Sequence, residues 1–114
     1  MGEEKREYCF IYANRLKQDR DAFERITRDY GTVRREYIVN SPSVTPEDIQ
    51  WETVEYRLGE IVKAVGSKES VRVVLAGFSP LVALVYSVAT AMELPCCYFV
   101  KDERTQQYVE ITAF

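Results

Sequence analysis

Residues 71–93 have the sequence VRVVLAGFSPLVALVYSVATAME, and the organisation of the whole chain follows from this stretch. Its first six residues are apolar and rich in valine, apart from one arginine, which predicts a buried strand over residues 71–76. Gly77 and Phe78 then make a tight turn, and Ser79-Pro80 opens a nearly all-apolar helix over residues 81–92. A buried strand followed at once by a helix is half of a β-α-β unit, so the stretch predicts a parallel sheet covered by helices on both faces.

The remaining segments extend this unit to the order β-α-β-α-β-α-β-β. Further strands are predicted at residues 8–13, 33–39, 95–100 and 106–112, and further helices at residues 19–30 and 46–65, ended by Gly31 and Gly66. The last two strands are joined by a turn too short for a parallel crossover, so they form an antiparallel hairpin. Right-handed crossovers then favour the strand order 2-1-3-4-5 with the last strand antiparallel at the edge. We therefore predict an α/β fold, a Rossmann-like three-layer sandwich in a single domain over residues 1–114.

Composition restricts the functions that the chain can have. The net charge of -3 excludes the overall basic field that binds long nucleic acids. The chain has no histidine, which removes the commonest metal ligand and the usual general base near neutral pH. Cys9, Cys96 and Cys97 lack the CxxC spacing of zinc ligands, so we expect reduced core cysteines, no metal and no cofactor.

The sequence also bears on location. The first residues, MGEEKREYCFIY, lack the basic start and long apolar core of a signal peptide. Residues 81–92 are the only candidate for a membrane span, and they are well short of the roughly 20 residues that a helix needs to cross a bilayer. We therefore expect a cytoplasmic protein that does not contact a membrane.

The predicted strand order places a candidate site where the winding of the sheet reverses, between the first and third strands. The loops at residues 14–17 and 77–80 meet there. Gly77 allows close backbone approach, and Ser79 with the N-H groups of the helix start offers donors to an anion. Asn14, Arg15 and Lys17 add donors from the first loop, and Lys101 and Arg104 follow the fourth strand on the same rim. The alternative is that Ser79-Pro80 is only a helix cap and that the charges are only solvated, because AGFSP is neither a Walker loop nor a GxGxxG fingerprint.

The helix at residues 81–92 is apolar around most of its circumference. A domain of this size has difficulty burying a helix on all sides, and a two-fold homodimer that packs this helix or its neighbour against a second copy would solve that problem. The alternative is a monomer in which the helix is central and flanked by other elements.

The short first strand ending in a polar loop, the third strand ending in Gly-Phe-Ser-Pro and the hairpin turn Asp-Glu-Arg-Thr resemble the small Rossmann-like proteins of type III CRISPR systems. These include CARF-type sensors of cyclic oligoadenylate and the single-domain ring nucleases that degrade it. The resemblance covers most of the chain and is carried by its layout and by the segments at residues 77–79 and 101–104. Several such families use a histidine or a glutamate in catalysis, and this chain has no histidine.

The resemblance implies an antiviral-defence protein that binds cyclic tetra-adenylate in a homodimer cleft. It implies metal-independent cleavage by the ribose 2′-hydroxyl, with the protein orienting the attack and cations stabilising the phosphorane charge. The corresponding ligand-binding positions are Asn14, Arg15, Lys17, Gly77, Phe78 and Ser79, and the catalytic positions are Lys101 and Arg104. Three alternatives stay open: a non-catalytic sensor, a structural dimer that serves as an interaction module, and a flavin- or nicotinamide-binding domain.

Overall fold

The computed structural model describes residues 8–15 and 33–113. The strands are β1 (Tyr8–Asn14), β2 (Val33–Val39), β3 (Val71–Val74), β4 (Cys96–Asp102) and β5 (Gln107–Thr112). The α-helices of these residues are α1 (Trp51–Val65) and α2 (Ser79–Ala91), and single 3-10 turns lie at Pro46–Asp48 and Lys68–Ser70. The predicted helix at residues 19–30 lies outside the described residues.

The five strands form one sheet in the order β2-β1-β3-β4-β5. β1 pairs in parallel with β2 and β3, β3 pairs in parallel with β4, and β5 is antiparallel to β4. The predicted α/β class, strand order and antiparallel edge are therefore confirmed. β1 is an interior strand, where Ile11 is level with Glu36 on one side and Val73 on the other.

Each face of the sheet carries its own apolar cluster. On one face Ile11, Val73 and Cys96 pack with residues of α1 and α2, including Leu58 and Val85. On the other face Phe10, Tyr12, Val74 and Cys97 form a second buried cluster. Successive strand residues point to opposite faces, so a run such as 9–12 is buried throughout because both faces are covered.

The helix predicted to start at Pro46 begins later than the sequence indicates. Pro46–Asp48 is a separate turn, Ile49 leaves the helical conformation with φ -97 and ψ 63, and α1 starts at Trp51. The cap predicted at Thr45 is present, but it belongs to this separate turn and not to α1. Asp48 accepts hydrogen bonds from the Thr45 N-H at 2.9 Å and from its hydroxyl at 3.0 Å. The predicted end is confirmed, since Gly66 caps α1 in the left-handed conformation with φ 89.

β4 is longer than predicted and continues past the end of β3. Val74, the last residue of β3, is level with Cys97, whereas β4 and β5 stay paired as far as Asp102 and Gln107. At about 3.3 Å per residue, Lys101 lies about 13 Å beyond Cys97 along the strand. Residues 98–111 thus form a two-stranded hairpin, here called the arm, that extends beyond the carboxyl edge of the sheet.

The chain itself buries much of the apolar α2 helix. Leu81, Val85, Val88 and Ala89 are fully buried against α1 and the sheet. The more exposed side of the helix carries mostly small or weakly polar residues, with Tyr86 the largest. In the described part of the chain, no helix has the length and apolar character required to cross a membrane.

Candidate functional site

Asn14 joins the two loops that the sequence places at the switch point. It is the last residue of β1 rather than the first of a loop, as the sequence had suggested, and it is only 4% exposed. Its Oδ1 accepts a hydrogen bond of 2.7 Å from the N-H of Phe78, and its Nδ2 donates to the carbonyl of Arg15 at 3.3 Å. A buried amide is stable only when it is hydrogen-bonded, so this residue fixes the end of β1 to the start of α2.

Gly77 makes this approach possible. Its φ of 134 lies in a region that residues with side chains rarely adopt, and a Cβ at this position would collide with Oδ1 of Asn14. The glycine therefore serves the close packing of two protein loops. The sequence predicts that a ligand approaches the backbone at Gly77, whereas in the structure the Asn14 side chain makes this close approach.

The start of α2 differs from an ordinary capped helix. Phe78 is the N-cap residue and supplies no side-chain cap, and Ser79 and Pro80 are the first helical residues. Phe78 N-H is used by Asn14, and Pro80 has no N-H, so the N-H groups of Ser79 and Leu81 are the ones left at the helix start. Ser79 and the half-exposed Phe78 ring lie at the surface. Ser79 is therefore a residue of the first helical turn, and its side chain makes no cap hydrogen bond.

Arg15 directly follows Asn14, and its contacts are with β2 and the residue after it. Its N-H bonds the carbonyl of Val39 at 3.2 Å, and its Nε donates to Oδ1 of Asn40 at 2.9 Å. The guanidinium carbon lies 4.6 Å from the centre of the Tyr37 ring, a cation-π distance. These contacts use one edge of the guanidinium group, which leaves its terminal nitrogens at the exposed end of the side chain.

The structure does not join Lys101 or Arg104 to this group of residues. Both side chains are exposed on the arm, and Lys101 is level with Tyr108. Arg104 is in the turn at the tip, where its N-H bonds Oδ1 of Asp102 at 2.9 Å and its Nε lies 3.7 Å from the same oxygen. Lys17 lies outside the described residues.

Sequence reasoning did not identify Asn40 and Tyr37, which position Arg15. Asn40 directly follows β2, the strand beside β1, so the rule that selected the ends of the first and third strands would also have found it if applied to β2. Nothing in the sequence indicated Tyr37, since its role depends on packing across two strands; its ring stacks on Tyr12 at 5.8 Å.

The remaining groups offer little for metal or thiol chemistry. Among residues 8–15 and 33–113, no cluster of acidic residues, cysteines or histidines is arranged to hold a metal ion. Cys9, Cys96 and Cys97 are buried thiols outside any disulfide. Burial raises the pKa of Cys96 to about 11, and burial with the nearby Glu110 charge raises the pKa of Cys97 to about 12, so neither is a ready nucleophile.

No model of a known protein family matches the chain, and a search of curated proteins finds no match.

Proposed function

We propose that the protein binds a phosphate-containing nucleotide at the carboxyl edge of the sheet. The proposed ligand is a cyclic oligoadenylate, and cyclic tetra-adenylate is the first candidate. The observation that carries the proposal is the hydrogen bond from Phe78 N-H to Asn14 Oδ1. It holds Arg15, Phe78 and Ser79 at one edge of the sheet, next to the point where its winding reverses.

These residues offer the three interactions that a nucleotide needs. The hydroxyl and N-H of Ser79, at the exposed start of α2, suit a phosphate, aided by the helix dipole. The Arg15 guanidinium adds a positive charge with fork geometry. The half-exposed Phe78 ring provides a surface on which an adenine can stack, a contact of about 1–3 kcal/mol per base.

Cleavage is the second part of the proposal. The ribose 2′-oxygen attacks the adjacent phosphorus, the P–O5′ bond breaks, and the proton lost by the 2′-hydroxyl reaches the departing O5′. The products are linear, with a 2′,3′-cyclic phosphate at one end and a 5′-hydroxyl at the other. Lys101 and Arg104 would stabilise the added negative charge from the arm, which rises beyond the edge that carries Arg15 and Ser79.

One observation favours binding without cleavage. Arg104 contacts Asp102 at the tip of the arm, and no hydrogen bond or ion pair of the described residues links it to Asn14, Arg15 or Ser79. A sensor that holds the ring without cutting it is therefore the second candidate function.

The proposal includes a homodimer in which two such edges face one cyclic ligand, and a cytoplasmic location. A two-fold axis through the cleft matches the symmetry of a cyclic tetranucleotide. The buried thiols of Cys9, Cys96 and Cys97 support a reducing compartment.

A thermal-shift titration tests the binding step. Cyclic tetra-adenylate at about 100 times its dissociation constant should stabilise the fold by ~2.7 kcal/mol, since it binds only the folded state. For a domain of this size that raises the melting temperature by about 10 °C or more. Cyclic tri-adenylate, AMP and inorganic phosphate serve as comparison ligands. The binding proposal would be refuted if none of the four compounds, cyclic tetra-adenylate included, shifted the melting temperature.

Matched variants locate the site. Phe78→Ala and Arg15→Gln should reduce the shift, whereas Tyr56→Ala and Lys63→Gln, both on the exposed side of α1, should not. Cleavage is checked by following the ring and its linear products, which Lys101→Ala and Arg104→Ala should slow. If the ring stays intact with excess protein although it is bound, the sensor function holds and the nuclease function is wrong.

A further inference from the structure

One face of the arm is apolar and exposed. Tyr98 lies opposite Ile111 and Val100 lies opposite Val109, and cross-strand partners share a face of a hairpin. Their exposed fractions are 40% for Tyr98, 36% for Ile111, 47% for Val100 and 46% for Val109. These four side chains are here called the arm face. Contiguous apolar surface of this kind on a folded protein marks a site of association.

The arm face lies on the same side of the sheet as α2. Cys96 packs in the cluster that includes Leu81 and Val85 of α2, and alternate strand residues share a face, so Tyr98 and Val100 continue the face of Cys96. Tyr86, 37% exposed on α2, lies on this side as well. A stable interface buries about 800 Å² per partner, so an interface here includes surface beyond these four side chains.

We infer that the arm face packs against the same face of a second copy of this chain. The charge distribution favours a second copy as the occupant. A two-fold contact sets each group against its own copy, so charged residues near the axis would face like charges. The arm face has none, while Lys101 and Glu110 project from the opposite face of the hairpin. Asp102 is the one charged residue of the two paired strands that lies on this face. It is at the distal end of the strands, and its Oδ1 is 3.7 Å from Nε of Arg104.

The strands of the arm also restrict the arrangement. If the two-fold axis runs along the strand direction, both copies point the same way and the carboxyl edges of both sheets open at the same end. The inference deepens the homodimer of the proposed function by naming its interface. It concerns association in the absence of nucleotide, so its test can fail while the thermal-shift titration still shows nucleotide binding.

Analytical ultracentrifugation of the whole chain without nucleotide tests the inference. The protein should sediment as a dimer in the micromolar range. Val100→Asp and Val109→Asp should each raise the dissociation constant at least 100-fold, because they bury an unpaired charge against its copy. Lys101→Asp, which places a carboxylate on the opposite face of the same strand, should leave the dimer intact. A monomeric wild-type protein, or a dimer unaffected by both valine variants, would overturn the inference.

A crosslinking experiment covers the case in which an aspartate variant fails to fold. The native cysteines are buried, so Val109→Cys provides the accessible thiol, and a short bis-maleimide should join two chains through it. Lys101→Cys, on the opposite face of the same hairpin, is the matched control and should crosslink far less. Equal crosslinking of the two variants would also overturn the inference.

Discussion

Asn14 and Gly77 depend on each other more closely than any other pair at the candidate site. The amide of Asn14 needs a buried donor, and the Phe78 N-H can reach it only because Gly77 has no side chain and adopts φ 134. Removal of either partner therefore affects both the stability of the fold and the position of the helix start. This coupling places the constraints of the fold and of the candidate site on the same two residues.

Gly77→Ala should destabilise the protein more than Gly66→Ala. Gly66 also has a positive φ, 89, but a Cβ there meets nothing within 4 Å, so its replacement adds only backbone strain, about 1 kcal/mol. Gly77→Ala adds a collision with Asn14 to that strain. Chemical denaturation measures both losses of unfolding free energy. Equal losses would show that the Asn14 side chain moves aside without cost.

Cys96 should react slowly with thiol reagents in the folded protein. Burial raises its pKa from 9.0 to about 11, which lowers the thiolate fraction at pH 8 about 100-fold relative to an unfolded chain. Labelling with a chromogenic disulfide, with and without denaturant, measures the difference. Rapid labelling of the native protein at both Cys96 and Cys97 would contradict it.

The same pKa shift has a consequence for stability. The folded state keeps the thiol protons to a higher pH than the unfolded state, so the thiols of Cys96 and Cys97 lower the unfolding free energy as the pH rises above about 9. Below that pH both states hold the protons, and the two residues have no effect on the pH dependence.

Sequence patterns identified the types of residue at the site but not their contacts. Gly77 was predicted as a position of close approach and is one, although the approaching group is Asn14 and not a ligand. Asn14 was placed in a loop because a polar amide is unusual at the end of a buried strand. Its partner, Phe78, is 64 residues away in the chain, and no local pattern contains such a pair.

At the level of elements, Arg57 ties α1 to the end of β2. A single nitrogen, Nη1, lies 3.1 Å from the carbonyl of Ile38 and 3.1 Å from Oδ1 of Asp48. Hydrogen bonds from Thr45, with a contribution from Arg57, lower the pKa of Asp48. The segment between β2 and α1, which follows Val39 and includes Asn40, is thereby anchored at both ends, and Asn40 in turn holds Arg15.

Arg57→Ala should reduce the unfolding free energy by about 1 kcal/mol, since the side chain is partly exposed and its bonds are correspondingly weak. Lys63→Ala, on the exposed side of α1, is the matched control and should have little effect. The folded pKa of Asp48 is lowered, so its contribution is present above its ordinary pKa of 3.8 and is lost as the pH falls toward the lowered value. The difference between wild type and Asp48→Asn should therefore shrink in acid, and a difference that stayed constant would exclude this role.

Element boundaries show where sequence patterns stop being sufficient. β2 was predicted with the observed bounds, and the end of α1 at Gly66 followed from the left-handed cap. The predicted start of α1 was wrong because the start pattern at Thr45-Pro46 belongs to a separate helical turn that ends at Asp48. A cap pattern indicates where a helical turn begins, and only the later packing of residues such as Val54 and Leu58 decides where the long helix forms.

At the scale of the molecule, the strand order could be predicted because few topologies satisfy the rules of handedness and connection length. The arm could not be predicted. Its length depends on how far β4 continues after Gly77 turns the chain away from β3, and that is set by pairing with β5 rather than by any pattern within β4. The extension places Lys101 and Arg104 on the arm rather than level with the end of β3.

Hydrogen exchange should divide the molecule into two regions of different stability. β1 lies between two strands and both its faces are buried, so the amides of residues 9–12 exchange only when most of the fold opens. Each strand of the arm is paired only with the other strand of the hairpin, and one face of the arm is exposed, so its amides should exchange at least 100-fold faster in a dilute sample. If the arm face packs against a second copy, exchange in residues 98–102 should slow as the protein concentration rises, and Val109→Asp should abolish that dependence. Fast exchange at every concentration would mean that the arm stands alone, and Lys101 and Arg104 would then be carried on a segment that no partner positions.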